Sequence, residues 1–207
     1  MYRPPHFRVD DDVALEMVDA VAFGHLVVVG TEGLDATPLP FLLDRRAEGC
    51  SIRCHVARAN PIWRSAPCDS LLIVPSAGAY VSPSWYPSKA EHGAVVPTWN
   101  YEVVHLHGRL VAHHDVAWLG DLVRRLTDRH ERDLPVPWSV DDAPPEFVDR
   151  QLRAIVGLEV EVVRVEGKRK LSQNRDEADR DGVVTGLGDR DDPAADAVAR
   201  AMRRPLA

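Results

Sequence analysis

The sequence predicts a mainly β, α+β fold: an antiparallel barrel with added helices. Short Val-, Ile- and Leu-rich runs recur between turn residues, two stretches carry a clear helical period, and no strand–helix–strand alternation links them. Without βαβ units the sheet must close through antiparallel neighbours, with helices packed on its outside. No GxGxxG opens a helix after a strand, which disfavours a Rossmann-type nucleotide site.

The opening MYRPPHF has two prolines and no periodicity, and reads as an extended arm. Asp10, Asp11 and Asp12 can cap a helix whose apolar positions Leu15, Val18, Val21 and Ala22 share a face, with Gly24 as its stop. Strands follow at 25–31, 36–43, 50–56 and 70–75. Pro38 and Pro40 cannot donate to a ladder, so the second of these is an edge strand or a bulged one. Residues 95–111 form the longest strand-like run, with Val104, Leu106, Gly108 and Leu110 on one face and Val103, His105, His107 and Arg109 on the other. His105 and His107 have the spacing of a metal pair. No third ligand is fixed by spacing, and a polar sheet face or a dimer contact explains them more simply, so no metal is expected.

Asp115 opens an amphipathic helix with Val116, Leu119, Leu122, Val123 and Leu126 on one stripe. The Pro-rich loop 134–145 carries Trp138, a candidate plug over a pocket; a helix over 146–156 and a strand over 157–165 follow. One domain is expected over 1–175. The acidic, Gly-punctuated stretch 176–192 promises little core, and with a weak helix at 193–204 it reads as a partly disordered tail to residue 207.

A chain of 207 residues with 45% hydrophobic and 28% charged residues suits a soluble globular protein, with neither a bilayer-spanning run nor a secretory leader. The expected compartment is the cytoplasm. Cys50, Cys54 and Cys68 form no CxxC pair and read as free thiols, though Cys50 and Cys54 would share a strand face. The net charge of −7 disfavours direct DNA binding, because phosphate neutralisation supplies most of such affinity. The one short basic cluster, Lys168-Arg169-Lys170, is closely followed by Asp176, Glu177, Asp179 and Asp181.

Functional chemistry concentrates between Ala79 and Gly108. Trp85, Tyr86, Trp99 and Tyr101 are large, low-entropy contact surfaces that suit a flat ligand, or equally the covering of a barrel end or a subunit contact. Upstream, His55-Val56-Ala57-Arg58-Ala59-Asn60-Pro61 ends a strand in basic residues just before a short helix capped by Asn60, a pattern that favours an anion. Arg58 in a surface ion pair is the plainer alternative. The run Lys170-Leu171-Ser172-Gln173-Asn174-Arg175 either stays wet or closes onto a ligand. No Ser/His/Asp order, carboxylate pair or nucleophilic Cys points to catalysis by side chains.

Five segments in fixed order, MYRPPHF, HVARANP, YVSPSWY, VPTWNY with His105 shortly after, and KLSQNR, resemble the PaiB family across residues 1 to about 175. Its members are described as FMN-binding negative transcriptional regulators, or protease synthase and sporulation regulators, with an FMN-binding split β-barrel. The resemblance implies FMN as cofactor and a homodimer with flavin sites at the subunit boundary. It places Arg58 where related flavoproteins hold a phosphate-binding basic residue, with His55 and Asn60 beside it. Trp99, Asn100, Tyr101 and His105 then edge the ring system, and Ser82, Ser84 and Lys89 supply donors. The regulatory role can act through ligand or redox state instead of DNA contact. A flavin-dependent oxidoreductase resembling pyridoxamine-phosphate oxidases and a haem-binding split-barrel protein are the alternatives; His6, His92, His105 and His107 cannot be ranked as haem ligands.

Overall fold

The computed structural model describes residues 1–204. Its strands are β1 (Arg8–Val9), β2 (Phe23–Gly30), β3 (Gly33–Pro40), β4 (Leu42–Arg45), β5 (Cys50–Ala57), β6 (Cys68–Val81), β7 (Thr98–His113) and β8 (Ile155–Lys170). They form one sheet in the order β3-β2-β6-β7-β8-β5-β4, with β1 added beside β8. The pairs β1–β8, β2–β3, β2–β6, β4–β5 and β5–β8 are antiparallel, as the pattern of short strands requires. The helices are α1 (Asp11–Val21), α2 (Ser88–His92), α3 (Val116–Glu131), α4 (Pro145–Arg153), α5 (Glu177–Gly188) and α6 (Pro193–Arg203). None is long and apolar enough to cross a membrane.

The chain divides into two compact units, and β6, β7 and β8 contribute residues to both. One unit holds residues 18–73 and 106–165. Here β3 is the terminal strand of the sheet, which accommodates Pro38 and Pro40 where a central ladder would reject them. The first helix stops earlier than Gly24 suggests. Ala22 takes the left-handed position with φ 51°, its N–H closing on the Val18 carbonyl, and Gly24 lies inside β2.

Helix α3 starts where its cap predicts: the Asp115 carboxylate accepts from the Trp118 N–H at 2.8 Å. Its apolar stripe then seats Leu122 and Leu126 against Leu42 with Trp118 alongside. Trp118 also lies over Gly157, where a Cβ would stand 2.2 Å from the indole. On β5 and β8 the inward residues Ile52, Cys54, Leu158 and Val160 are almost wholly buried. Burial pushes the Cys54 thiol up to about 12, so it is an inert core residue.

The other unit holds residues 1–17, 74–105 and the chain from Glu166 onward. The N-terminal arm is tied down along β8. β1 pairs through Arg8 and Val9 with Lys168 and Gly167, the terminal ammonium donates to Glu166 at 2.8 Å, and Lys168 donates to the Tyr2 carbonyl at 3.1 Å. The stretch 176–192, which promises little core from its composition, instead contains α5, capped by Asp176 and burying Val183 and Leu187. With Val198 and Met202 of α6 these side chains complete a core around Val81, Tyr86 and Leu171.

Candidate functional site

In the unit built from residues 1–17, 74–105 and the chain from Glu166 onward, the arm, the aromatic segment and the KLSQNR run converge on one cavity of about 200 Å³. Its apolar walls are Phe7, Tyr86 and Val96. Its polar lining comes from Lys170, Ser172, Asn174 and Arg175, with Thr98 between.

Each polar group is positioned by backbone register. β8 runs to Lys170, five residues beyond the strand end that charge alone suggests, and the Lys170 ammonium donates to Thr98 Oγ1 at 2.7 Å and the Trp99 carbonyl at 2.5 Å. Burial, with Lys168 nearby, holds the Lys170 pKa below the usual lysine range. The next turn is held rigid by Gln173, whose amide accepts from the Leu171 N–H and donates to the Arg169 carbonyl, both at 2.6 Å. Ser172 sits in the left-handed region at φ 62°. A non-glycine residue keeps that conformation only when its surroundings fix it. Here the buried Asn100 amide does so, donating to Ser172 Oγ at 2.9 Å and accepting from it at 3.2 Å. Arg175 lies over the Tyr86 ring at 4.7 Å.

The remaining expected residues of this unit are distributed around β6, β7 and α2. Trp99 is 57% exposed and meets the exposed Tyr80 edge-on at 6.4 Å. Tyr101 is half-buried beneath the Lys168 ammonium at 5.2 Å, and His105 is half-buried on the face of β7 opposite Val104 and Leu106. Ser82, Ser84 and Lys89 form a local chain: Ser82 Oγ accepts from the Ser84 N–H at 3.2 Å, and Lys89 donates to Ser84 Oγ at 3.1 Å.

In the unit of residues 18–73 and 106–165, His55, Arg58 and Asn60 stand together at the end of β5. Asn60 caps the 3-10 turn Pro61–Ser65 by accepting from the Ile62 N–H at 3.0 Å. Arg58 makes no carboxylate pair among the described residues. Its guanidinium caps the end of α4, donating to the carbonyls of Arg153 at 2.9 Å and Ile155 at 2.8 Å, with His114 Nδ1 at 3.4 Å. His55 Nδ1 is buried with no hydrogen-bond partner among the described residues, and burial lowers the ring's pKa. Such an orphan is the kind of group that a bound ligand satisfies.

Tyr86 is one of the rings that residue chemistry marks for a ligand; Phe7, Val96 and Thr98 are not so marked, and their only signal in the sequence is that they lie inside the five ordered segments.

Residues 1–164 match the model of a family described as "Putative FMN-binding domain". The chain belongs to that family. Over 211 aligned residues this PaiB-type protein is 31% identical to the protease synthase and sporulation protein PAI 2 of Bacillus subtilis, covering 100% of this chain and 98% of that one. Among solved structures it is similar to the flavocytochrome Anf3 of Azotobacter vinelandii (TM-score 0.56, 17% identity, covering 83% of this chain and 73% of that one). It is also similar to the FAD and haem binding protein of Mycobacterium smegmatis (TM-score 0.51, 14% identity, 78% and 71% covered). At these identities the likeness carries the fold, which is the expected split barrel. FMN is the cofactor that the family assignment gives the PaiB-type chain. The chemistry at the end of β5 fits an anionic group of that cofactor: two carbonyls order the Arg58 guanidinium, and the buried His55 Nδ1 has no hydrogen-bond partner among the described residues.

Proposed function

We propose that this PaiB-type protein is a cytoplasmic homodimeric flavoprotein whose regulatory role runs through the state of its FMN, without direct contact to DNA. The observation that carries this reading is the fate of its cations. In the single basic cluster, Lys168 reaches the Tyr2 carbonyl, Arg169 is buried against Glu102 at 2.7 Å, and Lys170 turns into the cavity. On α3, Arg124, Arg125 and Arg129 pair with Asp141, Asp44 and Asp19 at 2.6, 2.9 and 2.7 Å. Neutralised arginines release no counterions from phosphates. The full-length similarity to a protein named for protease synthase and sporulation supports a regulatory role, and the exposed Tyr80–Trp99 pair supports a subunit contact.

In this reading Arg58, with His55 and Asn60, takes the FMN phosphate. The two carbonyl bonds orient the guanidinium and leave the rest of its five-donor fork for an anion. Trp99, Tyr101 and His105 edge the ring system, and Ser82, Ser84 and Lys89 serve its polar rim; Asn100, expected among the ring contacts, is instead wholly buried with its amide committed to Ser172. Arg58→Ala is expected to weaken FMN by about tenfold or more, the loss of a charge-assisted contact, and to change riboflavin by less than about twofold. Fluorescence titration with both flavins checks this, and equal losses would remove the phosphate role.

The similarity to a protein described as FAD and haem binding supports a second reading, haem in the same fold. A Soret band in the purified protein would favour it. Reduction of bound flavin by NADH or NADPH would favour a flavin-dependent oxidoreductase.

A further inference from the structure

The cavity between the arm and the KLSQNR turn combines two properties that rarely meet without a ligand. Its rings and Val96 make it apolar, while Lys170 and Arg175 bring two cations to its lining, which contains no carboxylate among the described residues. Lys170 gives its ammonium only to neutral acceptors, a hydroxyl and a carbonyl. Arg175 has one acidic neighbour, Asp179, at 3.9 Å. Both oxygens of that carboxylate already accept from Ser88, at 3.1 Å from its N–H and 2.8 Å from its hydroxyl. Asn174 is exposed at the rim, and its amide makes no hydrogen bond among the described residues. Positive charge is therefore concentrated and weakly compensated in a partly desolvated place, where an anion is worth more than in water.

Size and shape narrow the class. A space of about 200 Å³ lies below the ~300–1,000 Å³ typical of pockets for whole cofactors, so it cannot enclose an entire FMN. A fully hydrated phosphate would leave Phe7 and Tyr86 unused. We propose that the cavity binds a small organic carboxylate, its oxygens on Lys170 and Arg175 and its apolar body against Phe7 and Tyr86. The guanidinium fork matches two carboxylate oxygens, and the turn fixed by Gln173 and the Asn100–Ser172 pair presents the donors ready-made. All the residues that line the cavity lie within one unit.

Benzoate is a suitable probe, titrated calorimetrically into the FMN-loaded protein with benzamide as its uncharged counterpart. Benzoate is expected to bind, benzamide about tenfold or more weakly, and Lys170→Met and Arg175→Gln each to reduce benzoate affinity by about tenfold or more while FMN stays bound. If Lys170→Met fails to fold, Arg175→Gln carries the test from the turn between β8 and α5. Equal affinity for benzoate and benzamide, no benzoate binding, or displacement of FMN by benzoate would each overturn the proposal. Should the protein take up no FMN, the flavin reading fails separately, and benzoate binding is still expected in the flavin-free protein.

Discussion

Arg169→Met is expected to destabilise the protein by about 3–5 kcal/mol, because it strands a buried carboxylate. Arg169 and Glu102 are 6% and 4% exposed, their side chains meet at 2.7 Å, and the guanidinium also donates to the Ala201 carbonyl of α6 at 3.3 Å. Removing the arginine leaves Glu102 without a countercharge where water cannot replace it. Removing both charges does not, so Glu102→Met/Arg169→Met should recover most of the loss. Urea unfolding of the unsubstituted protein and the two variants measures this, and a double mutant no better than Arg169→Met would show that the arginine acts through packing and its carbonyl contact alone. The same variant bears on the regulatory reading. A residue this deep offers nothing to a phosphate backbone, so any weak DNA binding should keep its salt dependence.

Gly182→Val should be nearly as damaging. A Cβ at Gly182 would stand 2.0 Å from the Trp85 carbonyl oxygen, and one at Gly186, one turn later, 2.4 Å from the indole ring. At position 182 the obstacle is backbone, which cannot swing aside, so the cost belongs at or above the upper end of the ~1–3 kcal/mol usual for overpacking. Gly188→Ala is the control. Nothing lies within 4 Å of its Cβ, and its effect should stay within about 0.5 kcal/mol. Thermal unfolding followed by tryptophan fluorescence compares the two, and similar midpoints would mean that α5 does not seat Trp85 as described.

These glycines explain why the C-terminal region was the hardest to read. Gly182, Gly186 and Gly188 with the seven acids of 176–192 look like loop composition, yet the first two are spaced i, i+4 and form the groove that receives Trp85. Helix propensity is lowered at the very positions where close packing repays it. Local pattern served better where burial alternates simply: Val104, Leu106 and Leu110 on β7 face inward as their spacing predicts. Strand ends were legible only approximately. β6 runs on through Pro75 and the small residues Ala77-Gly78-Ala79, and β8 through Lys168-Arg169-Lys170, because distant partners satisfy groups that look solvent-bound in sequence. The KLSQNR run and the arm were visible as ordered segments, but only register on β8 shows that Phe7, Lys170 and Arg175 share a cavity.

Whether this PaiB-type chain holds FMN is decided by the absorption spectrum of the purified protein together with mass spectrometry of the small molecules released on denaturation. A flavin spectrum with the mass of FMN released, in the native protein or after incubation with FMN and desalting, is the predicted result. Protein that stays colourless after incubation, or that carries a Soret band in place of a flavin band, would contradict it.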